Sequence, residues 1–88
     1  SVVINAPAVR GSCWKMFQSP NQRLVLLSNS SSSPVTVTVK SPIFSDLEVL
    51  TDKALNASGQ PTNDTFTYSA SAGVTVTVPA QGWRALVR

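Results

Sequence analysis

The chain has 88 residues, with seven Lys and Arg, four Asp and Glu, no His and one Cys; its net charge is +3 and only 12% of its side chains are charged. That length suits one domain with one core, while the absence of His and of a second Cys excludes ordinary zinc, haem and iron–sulfur sites and any internal disulfide. The cations Arg10, Lys15, Arg23, Lys40, Lys53, Arg84 and Arg88 stand singly, which gives no concentrated basic face for nucleic acid, and no apolar run is long enough to span a membrane or patterned as a signal peptide.

In chain order, Val2-Val3-Ile4 is the first expected strand, and Cys13-Trp14-Lys15-Met16-Phe17 the second. Cys13, beside Trp14 on an apolar stretch, reads as a small buried hydrophobe rather than a reactive thiol. Arg23 to Leu27 is a nearly continuous apolar run bounded by Pro20-Asn21 and a serine tract, the pattern of a central strand. The tract Ser28 to Pro34 is a polar turn within the domain, expected to join its flanking strands as a hairpin.

Two segments carry the firmest signal. Pro34-Val35-Thr36-Val37-Thr38-Val39-Lys40 and Gly73-Val74-Thr75-Val76-Thr77-Val78-Pro79 each alternate Val with Thr. Successive strand side chains point to opposite faces, so each makes a strand with one dry and one wet side. Between them, Asp46-Leu47-Glu48-Val49-Leu50 also alternates, with Leu47 expected inside and both carboxylates outside. Leu55 to Asp64 is the longest irregular stretch. Thr65-Phe66-Thr67-Tyr68-Ser69 places both aromatics on one face. Ala70 to Gly73 and Pro79 to Gly82 are further expected hairpin turns, and Trp83 to Arg88 is the closing strand with Trp83, Ala85 and Val87 on one side. No window has capped 3.6-residue periodicity. The expected fold is all-β: an antiparallel, Greek-key, Ig-like two-sheet sandwich of seven or eight short strands occupying residues 1–88 as one domain.

No constellation for bond breaking stands out. Asp46 and Glu48 are two apart on the expected strand, but paired carboxylates without a cleft are a solvated surface rather than a glycosidase pair. A calcium site using Asp46, Glu48 or Asp52 lacks dense acidic loop spacing. Without His no serine triad can be assembled, and there is neither a nucleophile elbow nor a glycine-rich phosphate loop. No catalytic residue, metal or cofactor is therefore expected. The aromatics Trp14, Phe17, Tyr68 and Trp83 are candidates for a platform on which sugar rings stack, against the alternative that they fill the core. Trp83, at the entry of its strand, is the one expected to be partly exposed. Asn29, Asn56 and Asn63 each begin an Asn-x-Ser/Thr sequon in an expected loop and are candidate glycan acceptors.

From Gln22 to Val87 the order of features resembles the C-terminal β-sandwich that follows the catalytic barrel in glycoside hydrolases of the amylase and β-galactosidase types. Arg23 to Asn29 resembles the strand ending in a Leu-x-Asn turn, and Pro34 to Lys40 the Val/Thr strand that follows. Asp46 to Asp52 is similar to a segment written Asp-Leu-Leu-Thr-Gly, with Asp52-Lys53 standing where Gly is common. Val74 to Trp83, followed by Leu86, looks like the closing Val-x-Val-Pro-x-x-Gly-x-x-x-Leu unit. That family keeps its catalytic carboxylates in the barrel, so the resemblance implies a non-catalytic accessory domain of a longer chain. Its partners would be the catalytic domain of the same protein and, in some members, glycans; nucleic acid and membrane are not expected. The implied location is extracellular or lysosomal. Two other readings compete: a stand-alone carbohydrate-binding module using Trp14, Tyr68 or Trp83, and an Ig-like structural or adhesion module.

Overall fold

A computed structural model describes residues 2–15 and 21–88. Its described residues form eight strands: β1 (Val3–Ile4), β2 (Val9–Lys15), β3 (Arg23–Asn29), β4 (Val35–Lys40), β5 (Val49–Asp52), β6 (Thr65–Thr67), β7 (Val74–Val78) and β8 (Trp83–Val87). They make two sheets, one ordered β1-β4-β7 and the other β2-β3-β8-β5-β6, with every neighbouring pair antiparallel. The fold is thus the all-β sandwich anticipated from strand alternation. Among the described residues no helix is long and apolar enough to cross a membrane.

The Val/Thr segments behave as period-two patterning requires. Val37, Val39, Val74, Val76 and Val78 are buried and join the core, while Thr36, Thr75 and Thr77 face water. β4 and β7 pair in a register that sets Thr36 opposite Thr77, and their hydroxyls lie 2.8 Å apart. Across the core stand Val25 and Leu27 of β3, Leu50 of β5 and Leu86 of β8, each with no exposed surface. Both sheets are β-branched or leucine-rich on their inner faces, so each closes over the other's apolar layer.

The connections differ from those expected. Residues 30–34, which carry most of the serine tract, join β3 of one sheet to β4 of the other, and the turns at 70–73 and 79–82 also pass between sheets. None is a hairpin. The reason is burial: β3 and β4 each offer an inward apolar face, and only placement on opposite sheets lets both faces meet. Among the described residues the consecutive strands that pair are β2–β3 and β5–β6, the second closing over the irregular stretch through a Leu55–Pro61 bridge. Gly73 is required in its turn. Its φ is +74°, and a Cβ there would sit 2.2 Å from the carbonyl oxygen of Val39, so both backbone conformation and close approach demand glycine.

The segment at Asp46 to Glu48 is a turn, not the start of a strand, and β5 begins only at Val49. Leu47 has a φ of 67° and is 73% exposed, the reverse of its expected burial. Tertiary partners hold the turn. Leu47 N–H donates to the Tyr68 carbonyl at 2.7 Å and Glu48 N–H to that of Ser45 at 3.2 Å, while the Asp46 carboxylate accepts the Ala70 amide at 2.9 Å. The second strand begins earlier than expected, at Val9, and its expected end at Met16 and Phe17 lies outside the described residues.

Candidate functional site

The five-stranded sheet has an inner face on the core and an outer face toward solvent, and its register fixes which side chains share the outer one. Trp14 lies opposite Leu24, which lies opposite Val87, which lies opposite Thr51. The next row is Ser12, Leu26 and Ala85, and the one beyond is Arg10, Ser28 and Trp83. Val49 extends this face at the Trp14 end. Trp14, Val49 and Trp83 are each close to half exposed, and Leu24, Leu26 and Val87 are partly buried. This outer face carries two of the chain's six aromatics. Two rows along the strand and two strands across separate the tryptophans by about 16 Å between Cα atoms, from standard strand dimensions. They therefore form two separate aromatic surfaces rather than one platform.

Tyr68 is not part of either. It is 4% exposed, its hydroxyl donates to the Ser41 carbonyl and accepts from the Ser41 amide, both at 3.0 Å, and its ring packs against Phe44 with centroids 5.5 Å apart. A buried phenol needs a partner for its hydroxyl, and the Ser41 backbone supplies one, so Tyr68 locks the β4–β5 connection to the core. Of the proposed sugar platform, Trp14 and Trp83 remain at the surface, Tyr68 does not, and Phe17 lies outside the described residues.

Beside Trp83 the outer face is hollowed into a groove of about 480 Å³ lined by Leu26, Ser28, Asn29, Gln81, Gly82 and Trp83. Its walls are fixed by backbone bonds: Asn29 N–H to the Gly82 carbonyl at 2.9 Å, Gln81 N–H to that of Ser31 at 3.0 Å and Gly82 N–H to that of Pro79 at 3.0 Å. A larger cleft of about 750 Å³ opens between β1 and β2 near Asn5, Pro7 and Arg10. It offers no aromatic surface, and the Asn5 carboxamide oxygen already accepts the Thr38 amide at 3.0 Å.

Of the two carboxylates expected to face water, Asp46 is exposed, whereas Glu48 is partly buried in an ion pair. Asp52 is fully buried; Oδ1 accepts the amides of Ala54 and Ala85 at 2.9 and 3.1 Å, and Oδ2 meets the Arg84 guanidinium at 3.2 Å. Glu48 accepts two bonds from Arg23, at 2.8 and 2.5 Å, one from Arg88 at 3.2 Å and one from the Ser45 amide at 2.6 Å. Arg23 also donates to the Ile43 carbonyl at 2.8 Å. No group of three His, Cys, Asp or Glu side chains able to hold a metal occurs among the described residues.

The Arg23 guanidinium, opposed by partial burial and aided by the Ser45 amide and Arg88, lowers the Glu48 pKa from 4.5 to about 2. A carboxylate with a depressed folded pKa adds stability above its unfolded pKa and loses it as pH falls through the folded one. The urea midpoint of this chain is expected to fall between pH 4.5 and about 2. Glu48→Gln should flatten that segment of the profile; an unchanged slope would show that Glu48 is not its source.

The three sequons separate by burial. Asn56 and Asn63 are exposed, and only their carboxamide oxygens are engaged, Asn56 by the Ser58 and Gln60 amides and Asn63 by Lys53. Asn29 is 3% exposed, and its Nδ2 donates toward the carbonyls of Ser33, Val78 and Pro79 at 2.9, 3.1 and 3.2 Å. A glycan on that nitrogen would have to displace these bonds, and Asn29 closes strand β3 instead of standing in the loop expected of it. The sequon carried no sign of this, because it is set by three residues and burial by the whole fold. No protein-family model, curated protein or solved structure matches this chain.

Proposed function

We propose that this chain is a non-catalytic accessory β-domain of a carbohydrate-active enzyme, docked on its catalytic domain through the outer face of the five-stranded sheet. The observation that carries this is the Trp14, Leu24, Val87 and Val49 strip. It is an apolar surface with two large side chains about half exposed, the kind of patch that marks a protein contact rather than ordinary scatter. The resemblance from Gln22 to Val87 supplies the enzyme class, and with it an extracellular or lysosomal setting. The roles of Glu48 and Asp52 support a scaffold rather than a reaction centre, since both are committed to arginines and backbone amides.

The chain by itself is expected to bind a hydrophobic dye or to self-associate at high concentration. The pair Trp14→Ser and Val49→Lys should remove that behaviour while changing stability by less than about 0.5 kcal/mol each, as surface substitutions do. A wild-type chain that stays monomeric and binds no dye would overturn the docking reading.

A further inference from the structure

Among the described residues β1, β2, β6 and β7 stand at the margins of the two sheets, and three of them are poor templates for further pairing. β1 has two residues and β6 has three. β2 carries Arg10 and Lys15, and the Val2 and Ile4 side chains lie against its Gly11. β7 differs: its five residues, Val-Thr-Val-Thr-Val, include no charge, Pro or Gly, the devices that keep an edge from pairing. Two bonds fix where its unused backbone groups point. In β4 the Thr38 amide donates to Asn5 Oδ1, on the β1 side, at 3.0 Å. Thr38 and its partner Thr75 are therefore a non-hydrogen-bonded pair of the β4–β7 ladder. Thr75 and, two residues on, Thr77 turn their N–H and C=O groups away from β4. The Thr77 carbonyl agrees, since it accepts the Arg84 Nε at 2.9 Å. The Thr75 N–H and C=O and the Thr77 N–H have no partner among the described residues.

We propose that this edge joins two copies of the chain, with β7 pairing antiparallel to β7 of the second copy about Val76. One continuous sheet results, in the order β1-β4-β7-β7-β4-β1. What points to a second copy is that β7 already pairs with its own sequence. β4 opens with the same Val-Thr-Val-Thr-Val, and the register sets Val opposite Val and Thr opposite Thr throughout. The segment reads alike in both directions, so a two-fold axis at Val76 repeats those pairs on the open side. Val76 then meets its own copy, Val74 meets Val78, and Thr75 exchanges both backbone bonds with Thr77. The Thr77 oxygen has a second lone pair for this beside the one that meets Arg84. Each Val stays on the dry face and each Thr on the wet one, whereas a slip of one residue would invert them. A five-residue edge covers far less than the roughly 1,200 Å² of a stable interface, so a dissociation constant of about 0.1–1 mM is expected. The contact lies on the three-stranded sheet and does not rest on the docking role given to the outer face of the other.

The test is sedimentation equilibrium with amide hydrogen exchange by NMR, from about 10 μM to about 2 mM chain, which brackets that constant. The mass should rise toward that of a dimer and no further, and the Thr75 and Thr77 amides should gain protection as it does. Thr75→Pro removes an outward N–H without touching the β4 ladder, and should weaken association at least about tenfold, the loss of edge pairing. The double variant Thr75→Lys, Thr77→Lys sets like charges opposite each other across the axis and should be monomeric alone. Mixed with the variant Thr75→Glu, Thr77→Glu, it should recover a dimer, and this comparison decides if Thr75→Pro does not fold. A wild-type chain monomeric at about 2 mM, several times the expected constant, would overturn the proposal. So would association untouched by these variants, or no dimer on mixing. The docking strip is read separately. A chain that binds no dye and is made monomeric by Thr75→Pro alone removes the docking reading and keeps this one. A chain that binds dye, and associates until Trp14→Ser and Val49→Lys are introduced but not less with Thr75→Pro, does the reverse.

Discussion

Asp52→Ala is expected to cost about 3–4 kcal/mol and to lower the melting temperature by about 12 °C or more. In the sequence Asp52 stands out only as one of three acids weighed for a calcium site. In the fold it has no exposed surface, and it is the meeting point of two sheets and two strand ends. One oxygen takes the amides of Ala54 and Ala85 and the other meets Arg84, whose Nε in turn donates to the Thr77 carbonyl of the facing sheet at 2.9 Å. Removing the carboxylate strands two buried amides, each at about 1–3 kcal/mol, and leaves a guanidinium partly buried without its counter-charge. Arg84 is 24% exposed and recovers some hydration, which holds the total to the lower end of the range for breaking a buried pair. Asp52→Asn keeps one acceptor oxygen and should lose roughly half as much. Urea denaturation at neutral pH measures both; an Asp52→Ala chain within about 1 kcal/mol of wild type would contradict this assignment.

The second large effect is at Asn29. Asn29→Ala should destabilise by about 2–3 kcal/mol, because it leaves buried carbonyls and the Ser31 amide without their partner. Asn29→Asp is the sharper substitution. It is nearly isosteric and keeps the oxygen that accepts from the Ser31 amide and hydroxyl at 2.9 and 2.8 Å. Its second oxygen, however, would point at the carbonyls of Ser33, Val78 and Pro79 in place of a donor. At neutral pH Asn29→Asp should therefore be less stable than Asn29→Ala, despite the smaller change in shape. Equal stability of Asn29→Asp and wild type would contradict the donor role. The same geometry predicts that a chain made in a eukaryotic secretory host carries any glycan at Asn56 or Asn63 and none at Asn29, which peptide mapping by mass spectrometry reads directly.

These two sites show where the sequence stops being informative. Val35 to Val39 and Val74 to Val78 could be assigned in place and orientation because alternation is a local property, set by the geometry of an extended chain and the sign of each side chain's transfer to water. Trp83 is expected to be partly exposed from its place at the entry of the closing strand, and it is. Alternation failed at Leu47, whose neighbours in sequence alternate perfectly. The turn there is dictated by residues far away in the chain, with Arg23 and Arg88 drawing Glu48 in and Tyr68 taking the Leu47 amide.

The candidate site divides in the same way. Composition left Trp14 and Trp83 open between surface and core, since six aromatics also suit a core of this size. That they stand two strands apart, that Tyr68 is sealed in the core, and that Ser28 and Gln81 line the same groove follow from strand order, which inserts β8 between β3 and β5. Alternation by itself determined the all-β sandwich and which Val and Thr face inward, because period and polarity act residue by residue. Pairing partners, the burial of Asp52 and Asn29 and the makeup of both surface regions were decided only by tertiary structure, because buried polar groups are satisfied by whichever backbone the packed sheets bring near, however distant it is along the chain.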